Sequence, residues 1–411
     1  MPRRIVIDQL AEVLPPGGLT LVSSCSAESD LLADAVDQAG EALGDMSFSG
    51  IFVPGLNKRV WHPGPLSRTL TFFLTPELKA LGRAVRFLPL CYNDILSLLR
   101  RSRPQAALFM VSPPDEAGRC SFGTAVDFIA DLWRDIPVKI AHINPLMPAT
   151  RGDPGIPFDM LTAFIEGDQP LRSSGEGADD PVAAAIGAHI AVLVPDGATL
   201  QTGLGKIPGA ALRALRGHRR LGIHSGLIGD AVVDLAEAGA LAEGAAITAG
   251  VAIGSPRLYN AVRGPAFDFR PVSLTHGFDS IRAKRPFITI NSAIEVDLFG
   301  QAYAEATPRG FMSGPGGASD FARAAREADG MRIVALPAGG PGGNSRIVLP
   351  NGRGGPVSLG RSDIDIVVTE HGAADLRDST HDERARALIA LVPPQHREAL
   401  DRGWAAVRAL I

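Results

Sequence analysis

The chain has few cysteines. Of 411 residues only Cys25, Cys91 and Cys120 are cysteine, and they stand far apart with no histidine cluster beside them. Neither a disulfide framework nor a zinc site is expected, and the three read as reduced core thiols. Basic residues are not gathered into a stripe: the net charge is −4 and the segment His218-Arg219-Arg220 is only three residues long. A nucleic-acid partner is therefore not expected, and any anionic ligand has to be held locally. No apolar run approaches the roughly 18 uninterrupted residues of a membrane span. The N-terminal MPRRIVIDQLAEVLPPG carries two arginines but no apolar stretch of signal-peptide length, so a cytoplasmic location without a membrane partner is the expectation. There is also no short-period repeat.

Glycine and proline, by contrast, are plentiful. The 46 glycines and 32 prolines fall between short apolar runs, as expected where many tight turns join strands to helices. Hydrophobic content of 45% and charged content of 20% are those of a globular chain. The length exceeds what one core usually serves, which predicts two domains or a duplicated α/β unit.

Along the chain, residues 17–24 (GGLTLVSS) read as a strand and 28–43 as a helix with Leu31, Leu32, Ala35, Val36 and Ala39 on one face. Further apolar runs fall at 47–54, 69–74 and 85–88. Residues 106–112 (AALFMVS) suit a strand buried on both faces of a parallel sheet. The loop that follows (VSPPDEAGRCSFGTAVDF, 111–128) reads either as a surface turn capped by Asp115 or as a site-bearing loop at a strand's carboxyl end. Residues 138–143 form another strand. The stretch 167–181 (GDQPLRSSGEGADDP) is the best linker.

After the linker a helix is expected over 182–189. The region 190–239 then reads as a buried strand feeding a glycine turn, a helix opening just after it, a short strand over 221–224, and a helix from about Asp230. Strands are also expected near 245–253, 286–291, 331–337 and 364–369, with covering helices over 320–328, 382–391 and 395–411. The turn Gly203-Leu204-Gly205-Lys206-Ile207-Pro208 has the first two glycines of a dinucleotide fingerprint, but Pro208 stands where the third belongs. No acidic residue follows at a ribose-binding distance. Proline in the first turn of a helix is favourable, so the turn serves either as a purely structural bend or as a backbone cradle for an anion or an oxyanion.

Taken together, VSPPDEAGRCSFG, NPLMPATRGD, EGDQPL, PDGATLQTGLGKIP, NSAIEVDLFGQ, GGASDFARAA and VTEHGAADLR resemble the acetyl-CoA hydrolase and 4-hydroxybutyrate CoA-transferase family. They do so in order, from about Ser112 to Arg377. The resemblance implies an α/β fold of two open, mostly parallel, pseudo-duplicated domains, 1–180 and 181–411, with the site in the cleft between them. It implies acyl-CoA and a small carboxylic acid as substrates, no tightly bound cofactor or metal, and a homo-oligomer, a dimer or a dimer of dimers. In that family a glutamate attacks the thioester to give an acyl anhydride and then a glutamyl-CoA thioester, which a second carboxylate resolves. A carboxylate nucleophile conserves thioester energy, and the oxyanion requires preorganised N–H donors.

This sequence departs from the family where the nucleophile should stand. The motif His-Ser/Thr-Glu reads His224-Ser225-Gly226 here, and glycine has no side chain to acylate. The resemblance leaves Glu295 and Glu370, each at a strand's end, as catalytic candidates, as relocated nucleophile or as base for water. Each also reads as a turn-stabilising or ion-paired carboxylate. It assigns Gly203, Gly205, Lys206, Asn291, Gly316, Gly317 and His224 to binding CoA and substrate. A His224–Ser225 base and nucleophile pair is a further alternative, opposed by the rule that strand neighbours face opposite ways. The run Gly339-Gly340-Pro341-Gly342-Gly343-Asn344-Ser345-Arg346 reads as a mobile loop carrying a cation toward a CoA phosphate or a substrate carboxylate, or as a disordered hairpin. Acyl-CoA hydrolysis or CoA transfer is the expected activity, with a catalytically inactive acyl-CoA-binding protein as the alternative.

Overall fold

Charge-free apolar runs of about six residues become the inner strands of parallel sheets, because only a strand covered on both faces tolerates apolar side chains on both. The computed structural model, which describes residues 1–175, 180–307, 310–350 and 355–410, carries two such sheets. The chain divides into two compact units. One comprises Met1–Gly175, Ile247–Gly277 and Met312–Gly316; the other comprises Glu176–Ala246, Phe278–Phe311 and Gly317–Ile411.

In the first unit β1 (Arg3–Arg4), β2 (Leu19–Val22), β3 (Ser47–Gly50), β4 (Arg68–Thr71), β5 (Val85–Phe87), β6 (Ala106–Val111), β7 (Val138–Ile143) and β8 (Ala163–Glu166) form one sheet. Their order is β1-β8-β7-β6-β2-β3-β4-β5, and every pairing is parallel. All six residues of β6 are buried. Helix α1 (Asp30–Ala39) is capped by Ser29, whose side chain accepts the Leu32 N–H, and lays Leu32, Ala33, Ala35 and Val36 into the core. From β2 the chain builds outward to β5 and then returns to the other side of β2 with β6, so the direction of winding switches between β2 and β6.

The stretch Ile247–Gly277, which joins this unit from later in the sequence, is tied to it by backbone bonds. Val126 N–H donates to Gly250 O, and residue 152 bridges to Phe269. The strands Ile247–Ala252 and Phe267–Phe269 pair in parallel.

The second unit repeats the plan. Helix α2 (Pro181–Leu193) is capped by Asp180 and includes residues 190–193, which the sequence suggested as strand. The strands are β9 (Thr199–Thr202), β10 (Gly222–Ile228), β11 (Phe287–Ser292), β12 (Met331–Ala335), β13 (Ile366–Thr369) and β14 (Gly372–Asp375). Within the unit they run in the order β10-β9-β11-β12-β13-β14, parallel except for the last pair. Here the winding switches between β9 and β11.

Helix α3 (Lys206–Ala214) follows β9 directly. It packs so tightly on α2 that a Cβ at Gly187 would lie 2.7 Å from the Ala210 carbonyl oxygen. Helices α4 (Ala231–Glu237), α5 (Ala318–Arg326), α6 (His381–Ala390) and α7 (Pro394–Arg408) also belong to the unit. Residues 176–179 of the linker, and Ile411 at the end of the C-terminal helix expected from the sequence, lie outside the described residues. No helix among the described residues is long and apolar enough to cross a membrane.

Candidate active site at the carboxyl edge of the second sheet

Open parallel sheets bind ligands outside the carboxyl ends of their strands, where the winding direction switches, because the loops on either side part there. In the second unit that place is the gap beyond β9 and β11. The register defines a row of residues across it. Leu200 pairs with Ile223 and Thr202 with Ile290, so three residues past the first pair Gly226 stands level with Gly203, and Gly203 with Asn291. Asn291 in turn pairs with Val334, and Val334 with Val367. Two of the three residues nearest the switch therefore have no side chain. A Cβ at Gly203 would meet nothing within 4 Å.

The third residue of the row is held by its neighbour. Asn291 Nδ2 donates to Gln201 Oε1 at 3.2 Å and Gln201 Nε2 donates to Asn291 Oδ1 at 3.4 Å, both side chains being buried. Gln201 was not singled out from the sequence. Its signal is a polar residue, two positions before the glycine turn, in a strand that is otherwise buried.

Beyond β9, Gly205 adopts φ +118°, a conformation reserved for glycine, and turns the chain into α3. Pro208 stands in the first turn of that helix, where a missing N–H costs nothing. The free N–H groups and the helix dipole make this turn a backbone donor site. Lys206, the first helical residue, is half exposed, with Nζ 3.7 Å from Asp180 Oδ2.

Residue 226 does not end a strand. β10 runs on to Ile228, and Gly226 lies inside it, half buried. The sequence reading of a strand over 221–224 stops too early because glycine in a short apolar run looks like punctuation. His224 is buried with its ring edge-on to Phe287, centroids 6.1 Å apart. Ser225 Oγ donates to Thr202 O at 2.7 Å. Its proton is thus directed at the neighbouring strand, which removes the basis for a His224–Ser225 pair.

The two carboxylates lie past the row. Glu295 opens the strand Glu295–Asp297, which pairs antiparallel with Ala302–Tyr303 and in parallel with Ile347–Val348. Glu295 is half buried. Its neighbour Asp297 is spent on structure: it accepts from Phe299 N, Gln301 N, Gln301 Nε2 and the Tyr303 hydroxyl. Burial, with the charges of Asp297 and Glu295 adding to it, pushes that hydroxyl up to about 12.

Glu370 follows β13 directly. Its Oε2 accepts the Ala338 N–H at 2.8 Å and its Oε1 lies 3.9 Å from His371 Nε2. Ala338 is fully buried just past β12, so Glu370 ties the ends of two strands through one carboxylate oxygen and turns the other towards His371. Its residue stands three beyond Val367, roughly 10 Å past the row at strand rise.

The glycine run after Ala338 is a folded turn. Gly340 N donates to Asn344 O, Arg346 N donates to Ala338 O, and a ring nitrogen of His396 lies 2.8 Å from Gly343 O. Gly317 precedes α5, which begins at Ala318, two residues before the start expected at Asp320. Gly316, at φ +62°, belongs to the first unit, where it bridges to Cys91. Gly203, Gly205, Lys206, His224, Gly226, Asn291, Glu295, Gly317 and Glu370 all fall in the second unit. Among the described residues no group of three or more histidine, cysteine or acidic side chains has the geometry to hold a metal.

The model of the acetyl-CoA hydrolase/transferase C-terminal domain matches residues 254–403. The 4-hydroxybutyrate coenzyme A transferase of Clostridium kluyveri is 36% identical over 330 residues, 78% of this chain and 77% of that protein. Among solved structures, RipA from Yersinia pestis superposes with a TM-score of 0.89 at 25% identity, covering 100% of this chain and 98% of that one. The 4-hydroxybutyrate CoA-transferase of Porphyromonas gingivalis superposes with a TM-score of 0.80 at 29% identity, covering 100% and 98%. Two parallel α/β units, a backbone donor turn at a switch point and these likenesses lead to one assignment: the chain belongs to the acetyl-CoA hydrolase and CoA-transferase family, enzymes of acyl-CoA thioester chemistry.

Proposed function

We propose that the protein hydrolyses the thioester of a small acyl-CoA, with water rather than a protein carboxylate as the nucleophile. The observation that carries this is Gly226. It sits in the row Gly226–Gly203–Asn291, at the motif position where the resemblance expects the attacking glutamate, and supplies no group to form an anhydride. In this reading the N–H groups at Gly203, Gly205 and the start of α3 receive the thioester oxygen as it becomes an oxyanion. Lys206 favours the phosphates. His224 and the Asn291 amide shape the site, and the turn at Gly316 and Gly317 contacts CoA.

Glu370 takes the proton from the attacking water. Its support is the Ala338 N–H, which holds one of its oxygens at the edge of the sheet. Glu295 is the alternative base. The tetrahedral intermediate then collapses, expelling the CoA thiolate, which takes a proton, and leaving the free acid.

The wider reading has domains over 1–180 and 181–411, a cytoplasmic location, a homo-oligomer, and no tightly bound cofactor. The same glycine favours one other reading, an acyl-CoA-binding protein without turnover. Incubation with several acyl-CoAs, with and without acetate, separates the two. Hydrolysis gives free thiol at a rate acetate does not raise, whereas a binding protein gives tight binding, no thiol and no exchanged thioester.

A further inference from the structure

The turn that joins β13 to β14 is two residues long. Thr369 pairs with Gly372 across the antiparallel ladder, which leaves Glu370 and His371 as the whole of the loop. Two-residue hairpin loops favour Asn-Gly or Asp-Gly, because the turn types that match the twist of the strands need positive φ. Neither Glu370 nor His371 takes a positive φ, and the unusual angle falls instead on Gly372, at φ +135°. A turn that breaks the local rule, with its compensation one residue away, points to side chains retained for what they do.

The turn is also held in place. Thr369 Oγ1 accepts the His371 N–H at 3.1 Å and donates to Leu391 O at 3.1 Å, just past α6, while Glu370 Oε2 accepts the Ala338 N–H. Glu370 Oε1 and His371 Nε2 lie 3.9 Å apart, with 19% of the Glu370 side chain exposed and 38% of that of His371. The carboxylate is the more covered of the two and the imidazole the more open to solvent. Catalytic pairs are often long before substrate binds and tighten in the complex.

The proton balance of thioester hydrolysis calls for such a pair. Water brings two protons; the CoA thiolate keeps one, and the acid formed is ionised at neutral pH, because carboxylic acids titrate near 4. One proton per turnover therefore leaves for solvent. We propose that His371 is its exit: the proton that Glu370 Oε1 takes from the attacking water passes to His371 Nε2 and from there to solvent, which returns Glu370 to its ionised form. The O–H bond of water breaks as its oxygen bonds to the thioester carbon, the Oε1–H bond so formed breaks as Nε2–H forms, and the imidazolium then gives its proton to water or buffer. Histidine is the residue type suited to receive and release a proton near neutral pH. The inference rests on the hydrolysis reading above, with Glu370 as its base.

The test follows thiol release from propionyl-CoA by the wild type, Glu370→Gln, His371→Ala and His371→Gln, each with and without added imidazole, and the ring nitrogens of His371 by nitrogen NMR. His371→Ala should lower kcat about 100-fold, the lower end of what a proton-transfer group contributes, with KM and Tm unchanged, and imidazole in solution should restore much of the loss. His371→Gln, which keeps bulk but no base, should be equally slow. Wild-type kcat in His371→Ala, or a loss that imidazole does not relieve, overturns the relay while leaving Glu370 as base. Full activity in Glu370→Gln refutes the base and the relay together. Were no thioester turned over by any form, the hydrolysis reading would fail by itself, and the spectra would still decide the pair. Glu370→Gln should move the Nε2 resonance of His371 more than the Nδ1 resonance; equal movement of both, or none, would overturn the pairing.

Discussion

Replacing Glu370 by glutamine changes charge while leaving shape, and the surroundings of this residue make the consequence calculable. Glu370 Oε2 accepts the N–H of fully buried Ala338 at 2.8 Å. A glutamine oxygen accepts the same proton, so the junction of β12 and β13 holds and stability falls by no more than about 1 kcal/mol. Alanine leaves that N–H without an acceptor, at a cost of about 1–3 kcal/mol. Near 2–4 °C per kcal/mol for a unit of this size, that is a drop of roughly 2–12 °C in Tm. If Glu370 removes the proton from water, glutamine cannot do so, and kcat should fall about 10²- to 10⁴-fold while Tm hardly moves. Thermal melts and thiol release on the wild type and the two variants provide both readouts. Turnover by Glu370→Gln within about threefold of wild type would refute the assignment and transfer the role to Glu295.

Other outcomes follow from the same geometry. Gly203→Ala meets no atom within 4 Å at Cβ, so it should leave stability within about 1 kcal/mol yet raise KM for acyl-CoA; an unchanged KM would show that the glycine row is not a substrate surface. Asn291→Ala strips the buried Gln201 amide of its partner and should cost about 1–3 kcal/mol, read as a lower denaturant midpoint, and a midpoint equal to wild type would contradict the reciprocal amide pair. The Asp127 carboxyl is pushed up to about 8 in the folded chain, by burial first and by Asp131 second. The titratable and charged groups around it are Asp131, paired with Arg100 at 3.2 Å, together with Cys25 and Tyr92. Below about pH 4 the folded and unfolded carboxyls are both protonated. Between there and pH 8 only the folded chain keeps the proton, so this group makes stability fall as pH rises and adds no further slope above pH 8. The full shift corresponds to roughly 6 kcal/mol, which partial solvent access reduces. Denaturation across that range should show the slope in the wild type and a flatter one in Asp127→Asn.

What the sequence disclosed depended on whether the cause was local. The run 106–112 announced a doubly covered strand because nothing in it is charged, and β6 is buried at every position. The helix over 206–214 was legible from glycine followed by proline at the right spacing. Gly226 misled because a glycine inside a strand and one ending it look alike until the neighbouring strand is known; here Thr202 O, accepting from Ser225 Oγ, lies beside the continuing strand. The helix Tyr92–Ser102 carries its signal in the helical spacing of Ile95, Leu96 and Leu99, which form its buried stripe. The grouping of 247–277 with the first unit rests on bonds such as Val126 N to Gly250 O, between partners more than a hundred residues apart. Local pattern carries no trace of them. The candidate site divides the same way: Glu295 and Glu370 are legible as carboxylates beside strand ends, whereas Gln201 matters only through the Asn291 amide across the sheet.

The most direct test of thioester hydrolysis without a protein nucleophile follows free thiol and exchanged thioester together, in propionyl-CoA with and without labelled acetate. The account predicts that thiol appears in step with propionate, that acetate leaves the rate unchanged, and that no label enters acetyl-CoA. Labelled acetyl-CoA formed as fast as propionyl-CoA disappears, with no net thiol, would contradict it.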